Sequence, residues 1–297
     1  MQQLSLFPDL KPKNKSILYV VGNGFDISHG IKSRYSDFKE WLKQKGRDRL
    51  ISMMDIFFNN DDSFWSDTEH SLGDYNERSI AEFCNPNDTI DYDHPTQYTI
   101  AYEDSPDWIF KPELNDFLNS FSEWVDSIDI SITEQKWALP TESKYLTFNY
   151  TETLEKYYGI PKENICHIHG SRLDNEKYII GHNNFCDPNN PFDDDSKLLY
   201  QQETFSKIIR WMNDLYKDTS KIIGKHKSFF DSLCGIKHVV VIGFSFSNID
   251  LPYLEEIVKK TGRDTSWLIY YHTSEDEKAI DSFITRVGLE KVRKVYK

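Results

Sequence analysis

Short apolar runs rich in β-branched and aromatic residues recur at 17–22, 144–149, 164–168, 177–181, 237–243 and 267–272. Several lead straight into segments whose apolar residues return at helical spacing. Strands alternating with helices predict an α/β domain on a parallel sheet. Between the first strand–helix unit and 144-KYLTFNY-150 lies a stretch rich in Phe, Trp, Tyr and acids, too long for a structureless loop in a compact domain. It predicts a helical insertion over about residues 46–142. A second insertion, about 185–235, contains 197-KLLYQQETFSKIIRWMNDLYKDTSKIIGK-225, again apolar at helical spacing. Both are expected over one end of the sheet, with Trp108, Trp124, Trp137 and Trp211, in contexts that are not basic, as core residues of the insertions rather than a base-stacking platform. Ser66 and Glu69 in 64-FWSDTEHSL-72 have the S-x-x-E spacing of a capping box, with Trp65 placed to staple the helix entry.

Composition narrows the function classes. The 297 residues are 38% hydrophobic and 14% aromatic, enough for a large core with a sizeable insertion. No apolar stretch reaches the ~20 residues of a membrane span, and the start lacks the basic-then-apolar order of a signal peptide; a cytoplasmic protein is expected. The net charge of −13 repels a phosphate backbone, so nonspecific nucleic-acid binding has no electrostatic driving force. The acids gather in 61-DDSFWSDTE-69, 87-NDTIDYD-93 and 193-DDD-195, which read as solvated loops without the ligand ladder of an EF-hand. Cys84, Cys166, Cys186 and Cys234 stand far apart with no CxxC pair, so reduced, mostly packed thiols are expected. His167, His169, His182 and Asp187 match no metal-ligand spacing.

The candidate chemistry lies where the strands end. In 17-ILYVVGNGFDISHGIKSRYSDF-38 a buried strand breaks into Gly22, Asn23 and Gly24, the position of the phosphate-binding turn in open α/β sheets. Such glycines accept positive φ and let a ligand reach the backbone, and the following helix would offer free amides. Asp26 has the wrong charge for a phosphate and suits a ribose hydroxyl, an amide or a backbone N–H. Alone, the turn reads equally as a nucleotide turn or as a tight strand–helix connection. Three further strand ends fall at the same edge: Phe148, Asn149, Tyr150 and Thr151; His167 to Ser171; and Gly243, Ser245 and Asp250 in 239-VVVIGFSFSNID-250. His169, at the end of its strand, is a general-base candidate or a satisfied structural histidine. Asn183 and Asn184 belong to the same rim or to a turn.

Residues 22-GNGFDISHGI-31 resemble the nucleotide turn of sirtuins, 147-TFNYT-151 their Thr-Gln-Asn-Ile-Asp stretch, 169-HGS-171 their catalytic His-Gly, and 243-GFS-245 their Gly-Thr-Ser ribose contact. The wording LYVVGNGFD, FWSDTE, LTFNYTETLE, HIHG and GFSFSNID is similar to the AbiH family of phage abortive-infection proteins. The resemblance implies a Rossmann-like, sirtuin-like parallel sheet with helical insertions, and a role in anti-phage defence. It implies NAD as substrate, hydrolysed at the nicotinamide glycosidic bond by Asn149 and His169. Gly22, Asn23, Gly24, Phe25, Asp26, Tyr150, Gly170, Gly243, Ser245 and Asp250 would line the nucleotide. The sirtuin zinc module has no counterpart in the cysteine spacing, and no metal is expected. A noncatalytic nucleotide or ADP-ribose sensor and a nucleic-acid-directed effector are the alternatives. An NADase must be restrained until triggered, by an oligomer, a partner or a docking site.

Residues 1–15 read as a disordered tail ahead of the α/β domain at 16–297. Within it Gln3, Leu4, Ser5, Leu6 and Phe7 match the short peptide by which many bacterial proteins dock on the replication sliding clamp. The alternative is a tail whose Leu4, Leu6 and Phe7 pack back on the body.

Overall fold

The structure, a computed structural model, describes residues 16–58, 62–85, 95–174, 177–189 and 199–297. The tail peptide 3–7 and the acidic stretches 87–93 and 193–195 lie outside these residues. The chain divides into two compact units, one of residues 1–32, 128–178 and 219–297, the other of residues 33–127 and 179–218. The expectation had placed the insertions at about 46–142 and 185–235.

The first unit holds a sheet of β1 (Ile17–Val21), β2 (Lys144–Thr147), β3 (Ile165–His167), β4 (His238–Ile242), β5 (Ser266–Tyr271) and β6 (Lys291–Tyr296). All pairings are parallel, and the strand order is β3-β2-β1-β4-β5-β6. That is the order of the doubly wound dinucleotide-binding fold. Every residue of β1 and β4 is buried, as the centre of a sheet covered on both faces requires. On one face Ile17, Tyr19 and Val21 join Tyr145, Val240, Ile242 and Leu268 in a core completed by Phe25, Leu154 and Tyr158. The helices of this unit are α1 (Gly24–Ser28), α8 (Thr153–Tyr158), α10 (Thr219–Lys225), α11 (Lys227–Asp231), α12 (Leu251–Thr261) and α13 (Ser274–Val287).

The second unit is helical: α2 (Tyr35–Gln44), α3 (Asp48–Phe57), α4 (Thr68–Leu72), α5 (Glu77–Phe83), α6 (Pro95–Ser105), α7 (Lys111–Ser127) and α9 (Leu199–Asn213). Its core is aromatic. Phe38 lies within ring-contact distance of Trp65, Phe117, Phe121 and Trp124, and Phe57 meets Phe83 and Phe110 edge-on, the arrangement that the ring quadrupole favours.

Several local expectations are corrected. The run 177–181 forms no strand; its end pairs with the segment after α9 through a bridge between His182 and Tyr216. The sixth strand is instead Lys291–Tyr296, at the sheet edge. The cap of α4 is Asp67, whose side chain accepts from the His70 N–H at 3.2 Å, not Ser66. Glu69 is drawn instead into an ion pair with Lys217 at 2.7 Å, the lysine side chain being fully buried. Trp124 is a core residue, but Trp108 is 60% exposed. Trp137 falls in the sheet unit, against Tyr270.

Candidate functional site

The strand order reverses between β1 and β4, the switch point at which open α/β sheets take ligands. There the turns after the two strands interlock. Gly22 N–H donates to the Ile242 carbonyl and Gly24 N–H to the Gly243 carbonyl, each at 2.9 Å. A Cβ on Gly22 would stand 2.4 Å from Gly243 O, and one on Gly243 would stand 2.3 Å from Phe25 N. Gly243 also has φ +62. These glycines are thus required by protein packed on protein. The free amides expected of the turn are correspondingly taken: Gly24 serves Gly243, and Phe25 N–H serves the Gly22 carbonyl at 3.0 Å. The helix they begin has five residues, too short to act as an anion site through its dipole. The Phe25 ring leaves the rim for the core, against His29 and Tyr158, while Asn23 stays exposed.

His29 is structural. Its Nδ1 lies 2.8 Å from the Phe25 carbonyl and its Nε2 2.7 Å from the Tyr158 hydroxyl. Burial lowers its pKa, partly offset by the Phe25 hydrogen bond.

Two polar clusters lie at the strand ends. In the first, Asp26 is fully buried, its Oδ2 accepting from the Thr151 hydroxyl, which itself lies 3.1 Å from the Thr153 hydroxyl. Burial pushes the Asp26 carboxyl up to about 6, against the pull of hydrogen bonds from Thr151, Thr153 and Asn149 and the charge of Arg172. Asn149 is held through its backbone: its N–H donates to Thr147 Oγ1 at 3.1 Å, and its carbonyl faces His167 Nδ1 at 2.9 Å. His167 Nε2 meets Glu155 at 2.9 Å, so this histidine holds the strand end rather than facing a crevice. Arg172 pairs with Glu152 at 2.6 Å and donates to the Ile128 carbonyl.

In the second cluster His169, 3% exposed, sets Nε2 3.5 Å from Asp250 Oδ1. Phe148 and Tyr253 present their rings edge-on to it. Gly170 permits the bend after His169 with φ +90. Tyr150 lies beside Tyr178, and its carbonyl accepts the Arg172 N–H at 3.0 Å. Ser245 is exposed on the loop after β4, followed by Phe246 at φ +56, whose ring packs on Phe244 and Phe283.

The structure therefore joins Asp26 to Asn149 and His169 to Asp250. Thr151, expected only as part of its strand end, is a member, and Thr153, Glu155 and Arg172 complete the site without having been singled out. The signal available was the Thr-x-Thr after Asn149, two hydroxyls on one side of a helix start. His182, in the helical unit, faces the Met212 carbonyl through Nε2 and accepts from Asn184 N–H through Nδ1. Among the described residues no group of three or more His, Cys, Asp or Glu side chains is placed to hold a metal. Cys84 and Cys166 are buried, and burial pushes both thiols up to about 12. No helix among the described residues is long and apolar enough to cross a membrane.

No curated protein and no solved structure matches the chain. The family described as "Bacteriophage abortive infection AbiH" matches residues 18–271, a span running from β1 to the end of β5. The chain belongs to the bacteriophage abortive infection family AbiH.

Proposed function

We propose that this AbiH chain is an abortive-infection effector that hydrolyses NAD+ at the nicotinamide glycosidic bond when triggered. The observation that carries the reading is the dinucleotide-fold strand order, with Asn149 and the His169–Asp250 pair at the carboxyl ends of the strands around its reversal. In the reaction the C1′–N bond breaks and its electron pair leaves with nicotinamide. Water oxygen bonds to C1′ and gives up a proton, yielding ADP-ribose. Positive charge builds on the ribose in the transition state, so fixed geometry and oriented dipoles supply most of the catalysis. His169 is the base of this reading, and the Asp250 carboxylate, 3.5 Å from its Nε2, stabilises the imidazolium formed when the ring takes the proton. Asn149 orients the ribose.

A docking partner is suggested by sequence alone: Gln3–Phe7 would dock on a sliding clamp, a contact that needs no affinity for DNA in a chain of net charge −13. One experiment tests both. The full chain is incubated with NAD+, with and without clamp, and nicotinamide and ADP-ribose are followed. Turnover is expected to fall at least ~100-fold in Asn149→Ala and in His169→Ala, and to rise with clamp. Bound NAD+ that is never cleaved, in either condition, overturns the enzyme in favour of a nucleotide sensor.

A further inference from the structure

The switch point is poor in donors and rich in acceptors, the reverse of a phosphate cradle. The turn amides of Gly22, Gly24 and Phe25 are consumed by backbone carbonyls, and the Asn149 amide by Thr147. Acceptor oxygens at the strand ends, by contrast, are buried with no donor from the protein, Asp26 Oδ1 and Asn149 Oδ1 among them. These two belong to neighbouring side chains, the Asn149 amide helping to hold the Asp26 carboxyl down against its burial, while the amide oxygen remains an acceptor. Thr151 fixes the other carboxylate oxygen. A buried acceptor without a donor costs free energy that a hydroxyl-bearing ligand recovers on binding, and one acceptor on each of two neighbouring side chains suits a ligand with two hydroxyls.

We infer that Asp26 and Asn149 form a paired acceptor that recognises the 2′,3′-diol of a ribose. The inference rests on the nucleotide reading above and refines it: the site selects the sugar of its ligand rather than anchoring its phosphates, and Asp26 is a specificity-determining residue. Hydrogen-bonding sites reject analogues that lack the hydroxyl, because the site's own buried groups are then left unpaired.

The test compares binding of NAD+ with binding of its analogues lacking the 2′- or the 3′-hydroxyl on the nicotinamide ribose, by rapid mixing before turnover. The unaltered chain is used alongside Asp26→Asn. The unaltered chain should bind at least one deoxy analogue ~10-fold or more weakly than NAD+. Asp26→Asn, which trades one carboxylate oxygen for a donor, should discriminate against that analogue less than the unaltered chain. Equal binding of all three nucleotides by the unaltered chain overturns the inference while leaving a nucleotide site in place. Discrimination undiminished in Asp26→Asn overturns the role of the pair. Failure to bind NAD+ at all overturns the nucleotide reading and the inference with it. The comparison on the unaltered chain does not depend on any variant folding.

Discussion

Asp26 carries a cost that pH exposes. Its carboxyl titrates near 6 in the folded chain against an ordinary value of 3.8, because burial disfavours the charge. A group whose folded value is raised lends its full stability below the unfolded value and loses it as pH rises through the folded one. Asp26→Asn should therefore melt at higher temperature than the parent at pH 7.5, by an amount on the order of 2–3 kcal/mol in stability. The gain should disappear at pH 4; thermal melts at the two pH values check this, and an equal gain at both would contradict the burial argument. Lys217 is the counterpart in the helical unit, fully buried on Glu69. Truncating it to Ala should cost about 3–5 kcal/mol by stranding a carboxylate, whereas Lys217→Met with Glu69→Leu should recover most of that. Denaturant midpoints of the single and double variants decide the matter.

At the scale of elements, the interlocked turns make the strongest stability claim. Gly243→Ala must place a Cβ 2.3 Å from Phe25 N at φ +62, so the variant should lose more than about 2 kcal/mol or fail to accumulate folded. Urea unfolding of this variant beside Gly30→Ala, where nothing lies within 4 Å, separates the clash from the cost of positive φ alone. These turns also show what was legible in the sequence. Apolar runs bounded by glycine located the strands that meet here, and glycine spacing located the turns themselves. The partner of the glycines was not legible, since a backbone carbonyl contributed by β4 leaves the same residue pattern as a phosphate would. The run 177–181 misled for a related reason: an apolar stretch of that length has no periodicity of its own, and here Gly181 passes so close to the Leu215 carbonyl that no Cβ fits. The edge strand 291–296 escaped notice because Lys291, Arg293 and Lys294 interrupt its apolar residues. Those charges suit an edge that must not recruit further strands.

Across the whole molecule, the sheet unit is assembled from three separate stretches of chain and the helical unit from two. Sequence patterning reveals such insertions as lengths too great for loops, but their limits blur, because an amphipathic pattern does not say which unit a helix packs in. Site residues inherit this dispersal. Asp26, Asn149, His169 and Asp250 come from the ends of four different strands' segments, and only the pairing order brings them together.

That pairing order also governs when the protein comes into being. Leu18 of the central strand pairs with Val239, which lies beyond the whole helical unit in sequence, so the buried strand β1 must wait for the strand that covers it. Contacts so distant in sequence form slowly and leave apolar surface open to chaperones and to aggregation in the meantime. The same delay acts as a safeguard. A chain that stops short of residue 238 lacks β4, β5, β6, Gly243 and Asp250. A product that ends before β4 cannot hold the assembled crevice, so the site forms only after the strands on both sides of the switch point have been made.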